Sequence, residues 1–129
     1  MTGDLWALGA ALLLATAQLT LSSIVSLRQL GGAYILGPRD QGRDVAGVAG
    51  RFVRAHRNLL EILPQFVASL FLAHAAHRNG DLSTLGAWTF VIGRLLYVPA
   101  YAFGPPGMRP AFWLAAQAGI FLILADVLW

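Results

Sequence analysis

Residues Leu5–Leu27 read LWALGAALLLATAQLTLSSIVSL, a run without a single charged side chain. At about 1.5 Å of rise per residue the run reaches roughly 35 Å as a helix, enough to cross the hydrocarbon core of a bilayer. It predicts a transmembrane helix over residues 4–30. A cleaved leader is the rival reading, since Ala15, Thr16 and Ala17 resemble a cleavage site. The acidic Asp4 in place of a basic start, and an apolar run that continues past the supposed cut, argue for a retained helix.

The whole chain agrees with that start. Of 129 residues, 57% are hydrophobic and 12% charged, so the polar groups are too few to cover the apolar surface in water. With no cysteine, disulfides, thiolate-metal sites and a cysteine nucleophile are excluded, and any thiol chemistry must use a borrowed thiol. All nine basic residues are arginine; six of them, Arg28, Arg39, Arg43, Arg51, Arg54 and Arg57, fall between the first apolar run and the body of the next. The positive-inside rule puts that side in the cytoplasm and both termini outward. There is no basic patch with interleaved aromatics, so nucleic acid is not an expected partner.

Arg28 and the pair Gly31 and Gly32 mark the end of the first helix. The stretch Gly37–Gly50, GPRDQGRDVAGVAG, mixes glycine with both signs of charge and reads as a solvated connector. A second helix is expected over 45–77. The turn RNGD (Arg78 to Asp81) follows, with Asp81 or Ser83 as N-cap for a third helix over 82–103. GPPG (Gly104 to Gly107) stops that helix by removing two backbone donors, and a fourth covers 109–129. The expected fold is an all-α membrane protein: one domain, residues 1–129, built as a bundle of four transmembrane helices. Arg54, Asn58, Glu61 and Arg94 then lie at or inside the membrane boundary, where lipid-facing charge is costly. A bundle this small has little interior to hide them, so an oligomer with polar subunit seams is expected.

The charged groups fall into stripes. In RAHRNLLEILPQF (Arg54 to Phe66) and just before it, Arg51, Arg54, Asn58 and Glu61 share one helical face, with Arg57 one turn before Glu61. In the third helix Arg94, Tyr97 and Tyr101 repeat the geometry. Guanidinium groups for carboxylates, an amide, a carboxylate for an amine and two phenols make an inventory suited to a small zwitterion. No metal is expected: His56, His74 and His77 are not gathered with carboxylates at ligand spacing, and no hydrolytic triad has a nucleophile-elbow context. The competing structural reading is a polar network that fixes a subunit seam, with Arg94 paired to Glu61 or a neighbouring carboxylate, Arg51 a headgroup contact or snorkelling anchor, His56 a packing or interfacial residue, and Tyr97, Tyr101 and the tryptophans an interfacial belt.

The string RAHRNLLEILP resembles the signature of the MAPEG family, membrane-associated proteins of eicosanoid and glutathione metabolism, in which Arg-Ala-x-x-Asn-x-x-Glu-x-x-x-Pro opens the second transmembrane helix. Here those positions are Arg54, Ala55, Asn58, Glu61 and Pro64. RLLYVPAY (Arg94 to Tyr101) resembles the family's second motif, and the layout agrees along the whole chain, as in a bacterial-type member similar to microsomal glutathione transferases. The resemblance implies a homotrimer in the bacterial inner membrane with a glutathione site at each seam, near the cytoplasmic face. Arg54, Arg57, Asn58 and Glu61 would hold the tripeptide, Tyr97, Tyr101 and Arg94 would face it, and Arg109 or Arg28 would stabilise its thiolate. Ile62 stands where some members have an aromatic residue, and Tyr97 where prostaglandin-type members have histidine, so no eicosanoid specificity carries over.

The implied activity is conjugation of glutathione to a lipophilic electrophile arriving from the lipid, or reduction of a hydroperoxide, a detoxification chemistry. The alternative is a non-catalytic membrane lipid-binding or scaffold protein of the same fold. A small anion channel is a third reading, and it is weakened because the charges cluster at one end.

Overall fold

The computed structural model describes residues 1–129. It is all helical, with α1 (Gly3–Leu30), α2 (Gly32–Leu36), α3 (Gly47–Ala75), α4 (Asp81–Phe103) and α5 (Met108–Leu128). Three of these, α1, α3 and α5, are long and apolar enough to cross a membrane. The expected third span, α4, is as long as a span needs to be, but Arg94, Tyr97, Tyr101 and Asp81 lower its hydropathy. It buries Phe90, Val91, Ala87 and Arg94 within the bundle and leaves Leu85, Ile92 and Leu95 exposed on its other side, so the charged residue faces protein and the outer face stays apolar.

The glycine pair after Arg28 does more than end a helix. Gly31 takes a φ of 84° and its N–H bonds to the Leu27 carbonyl, a conformation open to glycine without a Cβ penalty. The helical ladder is broken at that one residue, and GAYIL resumes it at once as α2. The connector is exposed from Gly37 to Asp44, as its composition implies, and Val45 at its end is buried. The second long helix therefore starts two residues later than the sequence pattern predicts, and Pro64 and Pro99 lie inside α3 and α4 without ending them.

α4 and α5 form the most extensive pair in the bundle, and small residues are the cause. A Cβ added at Gly86 would stand 2.5 Å from the Gly119 carbonyl oxygen, and one added at Gly119 would stand 2.5 Å from that of Gly86. Backbones meet directly there, as in helix packing where no water drives association. Beside this seam Phe66 of α3 stacks on Phe90 of α4 with centroids 3.9 Å apart, and Leu59, Leu70 and Ile123 complete a dry centre.

The end of the bundle away from most of the arginines is tied by buried polar groups. Asp4 is fully buried; its Oδ2 lies 2.9 Å from His74 Nε2 and accepts a bond from Ser83 Oγ at 3.4 Å, joining α1, α3 and α4. Neither Asp81 nor Ser83 caps α4 with its side chain. The cap comes from another helix: Asp126 Oδ2 of α5 accepts the backbone N–H groups of Gly80 at 3.1 Å and Ser83 at 3.0 Å, as a local N-cap residue would.

Removing one partner of a buried polar pair strands the other. Asp4→Ala is expected to lower the melting temperature in detergent by on the order of 10 °C, whereas Asp40→Ala on the exposed connector changes it little; circular dichroism melts of the two variants check this.

Candidate functional site

At the opposite end, α3 begins, α4 ends and α5 begins, and the first cross-links there are backbone satisfaction. Arg51 Nη1 donates to the Ala102 carbonyl at 2.8 Å, filling one of the acceptors that the end of α4 leaves open. Arg51 is therefore a tie between helices and not only a snorkelling side chain.

One turn further along α3, Arg54 Nε donates to the Tyr101 hydroxyl at 2.9 Å. Arg109, at the start of α5, lies over the other side of the site with its guanidinium carbon 4.7 Å from the Tyr101 ring centroid. Tyr97 and Tyr101, one turn apart on α4, have centroids 5.8 Å apart. The two phenols and two guanidinium groups thus form one contiguous surface from three helices.

Arg94 is the deepest of the charged groups, with 0% exposure. Its guanidinium carbon sits 4.3 Å from the Tyr97 centroid, and Nη1 donates to Asn58 Oδ1 at 2.9 Å. Asn58 Nδ2 in turn donates to Glu61 Oε2 at 3.4 Å. The alternative that Arg94 pairs with Glu61 directly is therefore replaced by a relay in which Asn58 is the middle member. Nε and Nη2 of Arg94 are buried without a partner. The only ion pair in the chain is His74 with Asp4, at the far end; no arginine is neutralised by a carboxylate.

Five of the expected site residues divide between two cavities. Asn58, Tyr97 and Arg109 line an open cleft of about 280 Å³ with Pro110 and Trp113. Arg54 and Arg57 line a second cavity, of about 270 Å³, with the connector. Glu61 is exposed on the flank of α3, reached by Asn58. Arg28 stands exposed at the end of α1, lines neither cavity and makes no side-chain hydrogen bond, so one protomer does not bring it to the others.

Trp113 is the cleft residue that the belt explanation passed over. Its place four residues after Arg109 on α5 puts both on one helical face, which was the available signal. The Asp4, His74 and Ser83 cluster has no such signal, because its members come from three helices.

A helical bundle with three membrane-length apolar helices and an arginine-rich end defines an integral membrane protein. Against protein-family profiles, residues 5–129 match the MAPEG family, and the chain belongs to that family. The family includes glutathione transferases and related proteins. No curated protein sequence matches the chain.

Asn58→Ala leaves the buried Arg94 without its hydrogen bond, a loss of about 2 kcal/mol for a charged donor. Asn58→Asp keeps an acceptor at the same atom. Thermal unfolding in detergent is expected to show the alanine variant several degrees below wild type on the order of that loss, with the aspartate variant close to it; equal melting of all three would remove the relay as a source of stability.

Proposed function

We propose that the chain is a glutathione-dependent membrane enzyme, a transferase or peroxidase, that holds glutathione between neighbouring protomers of a homotrimer. The observation that carries this reading is unneutralised arginine charge at the end of the bundle that also holds an open cleft lined by Asn58, Tyr97 and Arg109. None of Arg54, Arg57, Arg94 and Arg109 forms an ion pair with a carboxylate, and two of the nitrogens of Arg94 have no partner at all. A bundle left so would bear the cost of charge at a membrane boundary with nothing to offset it.

Glutathione fits this donor set. It bears two carboxylates and one ammonium group, so it brings an excess of negative charge with one cation for Glu61. Arg54 and Arg57 are positioned for a carboxylate by charge-assisted, forked hydrogen bonds. Asn58 both donates and accepts, and its bond to Arg94 fixes which way the amide points. Tyr97 and Trp113 close the cleft on its apolar side. The cleft is open in one protomer, which leaves room for a second subunit to complete it and for Arg28 of that subunit to approach.

When bound, glutathione supplies a thiol whose ionised form is the nucleophile, and a free thiol near pKa 8.5 is only a few percent ionised at neutral pH. A guanidinium at about 4 Å in a partly dry site lowers such a pKa by roughly one unit or more. Arg109 is assigned that role, with Arg28 the second candidate. Stacking on Tyr101 holds the Arg109 guanidinium in place, and a fixed charge loses nothing to reorganisation. The lipophilic co-substrate, an electrophile or a hydroperoxide, arrives from the membrane, with α4 as the fourth span, both termini outward and the site near the cytoplasmic face of a bacterial inner membrane.

The test is ultraviolet difference absorbance for thiolate when glutathione is added to purified protein, followed by turnover of an aromatic halide and of a lipid hydroperoxide. Arg54→Ala and Glu61→Gln are each expected to weaken glutathione binding about 10-fold or more, while Arg109→Ala reduces thiolate and rate with less effect on affinity. Thiolate and rate unchanged in Arg109→Ala would contradict the role assigned to that residue; binding without turnover would favour a lipid-binding function.

A further inference from the structure

α2 packs against α1, and the connector after it is tied back to both helices. Gln29, in the last turn of α1, exchanges hydrogen bonds with both backbone groups of Ala46. The Tyr34 hydroxyl accepts from the Arg43 amide at 2.7 Å and donates to the Arg39 carbonyl at 3.3 Å. Arg39 has a φ of 60°, an uncommon conformation for a residue with a Cβ, and its Nε and Nη2 both donate to the Ile35 carbonyl at 2.9 and 2.8 Å. The Arg43 guanidinium stacks on Tyr34, 5.0 Å from the centroid. A segment that reads as a solvated connector is thus a shaped lid.

Under that lid lies the cavity of about 270 Å³, whose wall holds Arg39, Arg43, Arg54 and Arg57 with one carboxylate, Asp44. No arginine in it forms an ion pair. Leu30, Val45 and Val53 supply an apolar side, and Leu36, next in sequence to the lining residue Ile35, is 89% exposed. The uncharged run of α1 ends immediately before this level, which places the cavity where headgroups meet water.

We propose that this cavity binds a phosphate-bearing anion, and that the phosphate is the headgroup of an anionic lipid. Four guanidinium groups against one carboxylate leave a strong local excess of positive charge. Guanidinium forks match the several acceptor oxygens of a phosphate. The apolar side and the exposed Leu36 suit a ligand whose charged end continues into hydrocarbon, and free phosphate would make no use of them. Arg54 and Arg57 also belong to the proposed tripeptide site, so the test is placed on Arg39, Arg43 and Asp44, which belong to the lid.

Native mass spectrometry of the full chain, released from nanodiscs that contain equal phosphatidylglycerol and phosphatidylcholine, reads the retained lipid. The expected result is a preference for phosphatidylglycerol of about 5-fold or more. Arg39→Gln with Arg43→Gln abolishes the preference, and Asp44→Asn increases it, a gain that simple damage to the lid does not produce. Thermal titration with inorganic phosphate separates the sources: stabilisation by phosphate without any lipid preference overturns the headgroup assignment in favour of a solution anion. No response to either probe, or the same response in wild type and the double variant, overturns the phosphate site itself. Glutathione binding is measured in parallel. If the double variant loses glutathione affinity as far as it loses lipid, the cavity is part of the tripeptide site and the proposal fails; if wild type binds no glutathione but keeps its lipid preference, the proposal stands without the enzyme reading.

Discussion

Arginine charge without internal counter-charge, at one end of an apolar bundle, is the constraint on which the rest of the structure depends. The chain has nine arginines and six acidic residues, and not one arginine lies in an ion pair. Surface arginines in water tolerate that state readily. Arg94 does not belong to that class, being fully buried with two nitrogens unpartnered, and its neighbours on α3 and α5 lie at the boundary of an apolar bundle. No carboxylate within the chain is paired with them, and the open cleft and the lid cavity leave room beside Arg109 and beside Arg54 and Arg57.

The two ends of the bundle answer the same problem in opposite ways. At the far end every buried polar group of the clamp finds a partner within the chain: Asp4 meets His74 and Ser83, and Asp126 caps α4. That end is closed by its own hydrogen bonds and has a structural role. At the arginine end the phenols of Tyr97 and Tyr101 hold guanidinium groups by their faces and by one hydrogen bond, contacts that orient a cation without neutralising it. The direct backbone contact of Gly86 with Gly119 sets the spacing of α4 and α5, and so relates Tyr97 on one helix to Arg109 on the other.

Much of this was legible in the sequence because it depends on period and on punctuation. Apolar runs and the glycine and proline breaks place the four long helices within a few residues, and the helical repeat puts Arg54, Asn58 and Glu61 on one face. What was not legible depends on contacts between distant residues. Asp126 caps a helix that begins 45 residues earlier, at Asp81, so the local search for an N-cap settled on Asp81 and Ser83. Asp4 carried no sign of a partner at His74. Arg94 was weighed against Glu61 on charge alone, whereas the geometry interposes Asn58. The connector is exposed, as its composition implies, but its order was not legible because that comes from single contacts made by Gln29 and Tyr34.

Calorimetric titration of the purified protein with glutathione, beside its dimethyl ester, addresses the central claim most directly, because the two ligands differ only in the carboxylates that the arginines are held to need. The account predicts heat and saturation with glutathione and loss of most of the affinity with the ester. Equal binding of both ligands, or no heat with either, would contradict it.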